Sequence, residues 1–149
     1  MPPIQIAAPL AAAFNNQSPN LKTALRLTEA FFSYTPESLR ATFDKDVADD
    51  FTWIPLPQSL KALGWNPLSK EESIKAIPFF FERIKDLEIT ITDLVENENT
   101  VVFYFSVGSS ESVVKLRFDA NGKVVEEKDF IDTKWAHETW SSAQEAATA

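Results

Sequence analysis

The sequence predicts an α+β domain in which three helices cover one face of a curved antiparallel sheet. Two observations carry the prediction. Between Leu87 and Asp132, four runs rich in Val, Ile, Phe and Thr are separated by short turn sequences. Upstream, two Ser/Thr-Pro pairs and one Ser-x-x-Glu box mark three helix starts. A sheet curled around such helices makes a cone-shaped barrel with an open mouth: a four-strand C-terminal meander, a short N-terminal strand, and the helices on the concave face.

Taken in order, residues 1–17 read as an N-terminal arm. They are apolar, interrupted by Pro2, Pro3 and Pro9, and lack the basic region of a signal peptide. The arm is expected to lie extended on the domain or on a partner subunit. Ser18-Pro19 opens a helix over 19–33 with Leu21, Leu25, Thr28 and Phe32 on one face. Thr35-Pro36 opens a second over 36–43, carrying Leu39 and Phe43, and the polar run Asp44 to Asp50 ends the pair. Phe51 to Ile54 is a short strand, which Pro55 and Pro57 confine to an edge or a strand end. A loop follows, with one helical turn near Leu60 to Leu63. Ser69 and Glu72 form a capping box for the third helix, 70–85, striped by Ile74, Ile77, Phe81 and Ile84 and expected to kink at Pro78. Phe79, Phe80 and Phe81 cover more than half of its circumference, so one ring must face something other than the main core.

The four strand runs are Leu87 to Val95, Thr100 to Val107, Glu111 to Phe118 and Lys123 to Asp132. Links this short force antiparallel neighbours, because a parallel crossover needs about a dozen residues or more. Residues 18–135 then form the cone domain, and 136–149 an Ala/Ser/Thr-rich tail expected as a frayed helix or disordered.

Composition bounds the function. A chain of 149 residues buries one real core, and twelve Phe with four Trp line either that core or a pocket. A net charge of −8 argues against nucleic acid, whose phosphates need a basic face, and against anionic membranes. No apolar run approaches the ~20 residues of a membrane span, so a cytoplasmic location is the default. There is no Cys, and His137 is the single His, so thiol nucleophiles, Cys-ligated zinc and multi-imidazole metal sites do not arise within one chain. Asp46, Asp49 and Asp50 lack regular ligand spacing. No metal or cofactor is expected.

Three stretches, Asp50-Phe-Thr-Trp-Ile-Pro-Leu-Pro-Gln-Ser-Leu60, Leu68-Ser-Lys-Glu-Glu72 and Phe118-Asp-Ala-Asn-Gly-Lys-Val-Val-Glu-Glu-Lys-Asp-Phe-Ile-Asp132, resemble in this order the nuclear transport factor 2-like superfamily. More narrowly they resemble its SnoaL-like polyketide cyclase group and that group's small fungal members. The resemblance covers roughly residues 20 to 135. It implies a cone with a hydrophobic interior pocket, often dimeric through the outer sheet face. Members include cyclases, isomerases, dehydratases and epoxide hydrolases, as well as non-catalytic binders. Fold therefore says little about reaction.

The resemblance also implies a pocket carboxylate on the last strand, here Asp129. Alternation puts Val125, Glu127, Asp129 and Ile131 on one face and Val124, Glu126, Lys128, Phe130 and Asp132 on the other. Both faces mix charge with apolar residues, so the pattern alone does not say which is inward; the resemblance favours the Asp129 face. A carboxylate among rings has a raised pKa and can serve as acid or base at a ketone's α-carbon. The alternative is a solvated or salt-bridged edge residue. Tyr104 could donate to a carbonyl oxygen, or face outward, since Phe103 and Phe105 alternate with it. Arg117 either orients Asp129 or shares a wet or dimer face with Lys115. Trp53, Trp65, Phe79, Phe80, Phe81, Phe103, Phe105 and Glu127 are candidate pocket residues. Trp53 stands where fungal relatives often carry a polar residue such as His, and Trp65 reads as a lid or a loop anchor. Past the last strand, His137 reads as a surface residue. Three classes of function remain open: a cofactor-independent cyclase, isomerase or lyase acting on a carbonyl or polyketide-like compound, a binder of a hydrophobic small molecule, and an interaction module. A homodimer through the convex face is expected, because Val113, Lys115 and Arg117 alternate with Val114, Leu116 and Phe118.

Overall fold

The computed structural model describes residues 4–33 and 35–138. The first three residues of the arm and the tail from 139 onward lie outside the described residues. Seven strands form one sheet. Its C-terminal half is the expected meander: β4 (Ile89–Asn97), β5 (Thr100–Val107), β6 (Ser110–Phe118) and β7 (Val124–Phe130), each antiparallel to the next. Turn chemistry explains the register. Gly108 and Gly122 adopt φ of 57° and 74°, and Asp119 Oδ1 accepts from the backbone N–H of Asn121 and Lys123, closing the last hairpin.

Three helices cover the concave face. Helix α2 (Pro19–Phe32) is capped by Ser18, whose Oγ accepts from Leu21 N. Helix α3 (Pro36–Asp46) is capped by Thr35, and α4 (Lys70–Ile84) by the Ser69–Glu72 box. Helix α4 runs through Pro78 as one element. A five-residue α1 (Ala11–Asn15) precedes them. No helix among the described residues is long and apolar enough to cross a membrane.

Three details differ from expectation. First, α3 extends to Asp46 and β2 (Val47–Leu56) starts immediately, so the polar run 44–50 is no loop. Asp46 and Asp49 are met within the chain. Arg26 Nη2 sits 2.9 Å from the buried Asp46, and the Lys70 ammonium reaches Val47 O and Asp49 Oδ1. Second, β2 is ten residues long and lies inside the sheet, parallel to β7. The order is β1-β4-β5-β6-β7-β2-β3, a curved sheet that does not close. Beyond β7, β2 has only the two-residue β3 (Leu68–Ser69), which reaches Thr52 and Trp53; Pro55 lies past that cover, where no ladder bond is lost. Third, the arm is not extended throughout. Among the described residues of the arm, only β1 (Gln5–Ile6) pairs, parallel to β4, before a 3-10 turn at Ala8–Leu10.

Candidate functional site

Strand register stacks the inward side chains in layers. The deepest layer runs Val101, Leu116, Glu127, Trp53, Leu68 across β5, β6, β7, β2 and β3. The next runs Phe103, Val114, Asp129, Pro55, and above it Phe105 faces Ser112. Alternation then fixes the inward face of β7 as Glu127 and Asp129. Helix α4 presents Ser73, Ala76, Ile77, Phe80 and Ile84, the spacing of one helical face, and α2 adds Leu27, Thr28, Phe31 and Phe32. Between these walls lies a cavity of about 180 Å³. For scale, a dry cavity of ~150 Å³ takes a benzene-sized ligand.

The lining is apolar except for a few groups. Two carboxyls, Glu127 and Asp129, share the inner face of one strand. Trp53 Nε1 donates to Asp129 Oδ2 at 2.7 Å. Burial pushes the Asp129 carboxyl up to about 6, against the pull of hydrogen bonds with Trp53 and Glu127. Glu127 is raised well above the carboxylate range, first by burial, then by the Asp129 charge, then by its hydrogen bond to Asp129. Two carboxylates on one strand face in an apolar cage each disfavour the other's charge, so the pair titrates as a unit above the ordinary carboxylate range. A proton held by the pair turns a repulsive contact into a hydrogen bond. The Trp53 donor favours the charge on Asp129 and so the proton on Glu127.

The mouth has its own order. Asp132 Oδ1 accepts from the backbone N–H of Lys134 and Trp135, and its Oδ2 from Ser110 Oγ, so it caps a helical turn at 133–138. Those bonds hold the Asp132 carboxyl below its usual range. The turn seats Trp135 against Phe80 and Trp65, with ring centroids 6.2 and 6.4 Å apart.

The expected site residues separate into three groups. Trp53, Phe80, Phe105, Glu127 and Asp129 line the cavity. Trp65 and Phe103 are fully buried behind it: Trp65 packs 6.2 Å from Trp53, an anchor rather than a lid, and Phe103 packs 5.6 Å from Phe105. Phe79, Phe81, Tyr104 and Arg117 are not part of the lining. Phe79 is exposed and Phe81 half-buried, because the inward face of α4 passes through Phe80. Tyr104 is 42% exposed, and its register partners Asp93 and Val113 share the outer face, so it holds no carbonyl in the cavity. Arg117 lies on that face too, 3.7 Å from Glu126, and cannot orient Asp129. His137 is exposed. Among the described residues no cluster of three His, Asp or Glu is placed to hold a metal. Sequence reasoning missed Ser73 and Trp135. Trp135 had a signal: Asp132 followed by Trp three residues on reads as a helix cap that delivers a ring.

No family model matches the sequence, and no curated protein does either. Solved structures do match its fold. A candidate SnoaL-like polyketide cyclase from Jannaschia sp. CCS1 superposes with a TM-score of 0.63 at 17% identity, covering 85% of this chain and 97% of that one. The BvnE pinacolase from Penicillium brevicompactum gives 0.60 at 18% identity, covering 88% and 97%. AusH from Aspergillus nidulans gives 0.61 at 20% identity, covering 79% and 86%. At these identities the likeness is one of fold.

Proposed function

We propose that this chain, which has the SnoaL-like form of the NTF2-like fold, binds an uncharged, apolar carbonyl compound and acts on it as a cofactor-independent isomerase or cyclase. The observation that carries the reading is the Glu127–Asp129 pair on the inner face of β7, both carboxyls lining an apolar cavity and both raised by burial. Among the described residues, every ionisable group in the lining is an acid: Glu111, Glu127, Asp129 and Asp132. A carboxylate or phosphate ligand would meet repulsion with no cation to offset it. The names of the Jannaschia and Penicillium proteins, a candidate polyketide cyclase and a pinacolase, agree with small-molecule chemistry on this fold.

The pair divides the labour. The Asp129 carboxylate takes a proton from the carbon next to a carbonyl. The C–H electrons move into the new carbon–carbon double bond, and the carbonyl oxygen receives the proton of Glu127, giving a neutral enol. Where the enol is conjugated to a second double bond, Asp129 returns its proton at the far carbon while the enol oxygen gives its proton back to Glu127, which completes an isomerisation. Attack of the enol carbon on a second carbonyl closes a ring: the oxygen of that carbonyl takes the proton held by Asp129 and becomes a hydroxyl, and Glu127 recovers its proton from the enol oxygen. Trp53 holds Asp129 in place and keeps it ionised at lower pH than burial alone permits.

The test is deuterium uptake next to the carbonyl of 2-tetralone in D2O, followed by NMR. Exchange well above the buffer rate, lost in Asp129→Asn, is the expected result. Equal exchange with wild type and variant would leave a binding protein and remove the catalytic role.

We also infer a homodimer. Tyr104, Val113 and Phe130 are register neighbours on β5, β6 and β7, an apolar row on the outer face in which Tyr104 and Phe130 are exposed. A single-subunit mass by light scattering at tens of micromolar would refute this, that being a concentration at which a dimer with a Kd of about 1 μM is mostly assembled.

A further inference from the structure

We propose that Ser73 is the second polar anchor of the cavity, so that the substrate carries two oxygen functions, one met by the Glu127–Asp129 pair and the other by the Ser73 hydroxyl. The proposal rests on the reading above and narrows its substrate class to compact, uncharged hydroxyketones or diketones on an apolar frame.

Ser73 is 7% exposed, lines the cavity, and its Oγ has no hydrogen-bond partner. That is unusual for a serine inside a helix, where the hydroxyl ordinarily bonds a carbonyl one turn back. Thr28, across the cavity on α2, does so: its Oγ1 donates to Ala24 O at 2.8 Å. Near the mouth, Ser110 donates to Asp132, and the Trp53 N–H is taken by Asp129. The Ser73 hydroxyl therefore remains available to a ligand. A buried hydroxyl without a partner costs stability, and alanine, a better helix former, would avoid that cost.

Register gives its depth. Leu68 pairs with Trp53, and Trp53 with Glu127. Helix α4 starts two residues after Leu68, and Ser73 is in its first turn. The hydroxyl thus enters from the helix wall, while the carboxyls enter from the sheet. Its neighbours on the cavity face of α4, Ala76, Ile77, Phe80 and Ile84, are all apolar, so Ser73 is that wall's polar group. A hydroxyl both donates and accepts, so it accommodates a ketone or an alcohol oxygen, and it offers no charge to hold an anion.

The experiment titrates the full chain with tetralin, 2-tetralone and 6-hydroxy-2-tetralone, which carry no, one and two oxygens. Wild type, Ser73→Ala and Asp129→Asn are compared by calorimetry and thermal melting. Wild type should bind the hydroxyketone about three- to tenfold tighter than the ketone, the worth of one neutral hydrogen bond. In Ser73→Ala that ratio should fall to about one, with tetralin affinity unchanged and the melting temperature equal or higher. An unchanged ratio in Ser73→Ala, or a uniform loss across all three ligands, would overturn the anchor while leaving the acid–base reading intact. Loss of the ratio in Ser73→Ala, with ketone binding and exchange indifferent to Asp129→Asn, would keep the anchor and sink the acid–base reading. Failure of all three probes to bind wild type would sink both.

Discussion

Glu126 and Glu127 are adjacent in the chain and chemically identical, yet they sit in different solvents. Glu126 lies on the outer face of β7, where Arg117 and Lys128 approach within 3.7 and 3.6 Å. Glu127 lies on the inner face, with Asp129 beside it and an apolar cage around both. Outside, charge is met by counter-charge and water, and such exposed pairs are worth little. Inside no cation is supplied, so the charge is reduced by keeping a proton. One strand therefore carries an ion-paired charge row and a buried carboxyl pair, and only the side of the sheet distinguishes them.

The sharpest way to break this comparison is to neutralise one carboxyl on each face. Asp129→Asn should slow α-proton exchange by about 10²–10⁴-fold, the usual worth of a positioned acid or base. Glu126→Gln should leave the rate unchanged. Equal losses in the two variants, read by NMR in D2O, would mean the faces are not functionally distinct.

Stability should divide the same way, with a somewhat smaller effect. Leu116 is 2% exposed in the layer of Glu127, while Lys115 beside it is exposed and faces Lys128. Leu116→Ala should cost about 2–5 kcal/mol in urea unfolding. Lys115→Ala should stay within about 0.5 kcal/mol, and relief of the facing lysines favours the gain side.

The smallest effect is in pH. Both inner carboxyls are raised in the folded chain, so the folded state holds more protons than the unfolded one. Their contribution is fully present below the unfolded value of about 4; the Asp129 part is lost as pH rises through about 6, and the Glu127 part as pH rises through its own raised value. Asp132 is shifted the other way, so its contribution is lost only as pH falls below the ordinary aspartate range. Urea midpoints at pH 4.5 and 7.5 should thus show wild type weaker at the higher pH by on the order of 1–3 kcal/mol. Asp129→Asn should flatten much of that slope; an unchanged slope would mean that Asp129 is solvated.

Local chemistry made much of the fold readable. Ser18-Pro19, Thr35-Pro36 and the Ser69–Glu72 box start helices because they satisfy amide donors that any helix leaves open. The glycines and Asp119 turn the meander because positive φ and side-chain acceptors are properties of those residues wherever they sit. The candidate site was less legible. Phe103, Tyr104 and Phe105 were sound candidates as residues, but strand parity sends Tyr104 outward and its two neighbours inward, and only Phe105 reaches the cavity lining.

The sequence by itself determined the helix starts, the antiparallel order of the last four strands and the pairing of Glu127 with Asp129 on one face, since each follows from residues close in the chain. It left open which face of β7 is inward, because charged and apolar residues are mixed on both. Tertiary structure decided that by laying β2 parallel against β7, so that Trp53 meets Glu127 in register and donates to Asp129 from 76 positions away. Contacts of that span are set by how helices and sheet close around a common core, and the same closure leaves Ser73 facing a cavity without a partner.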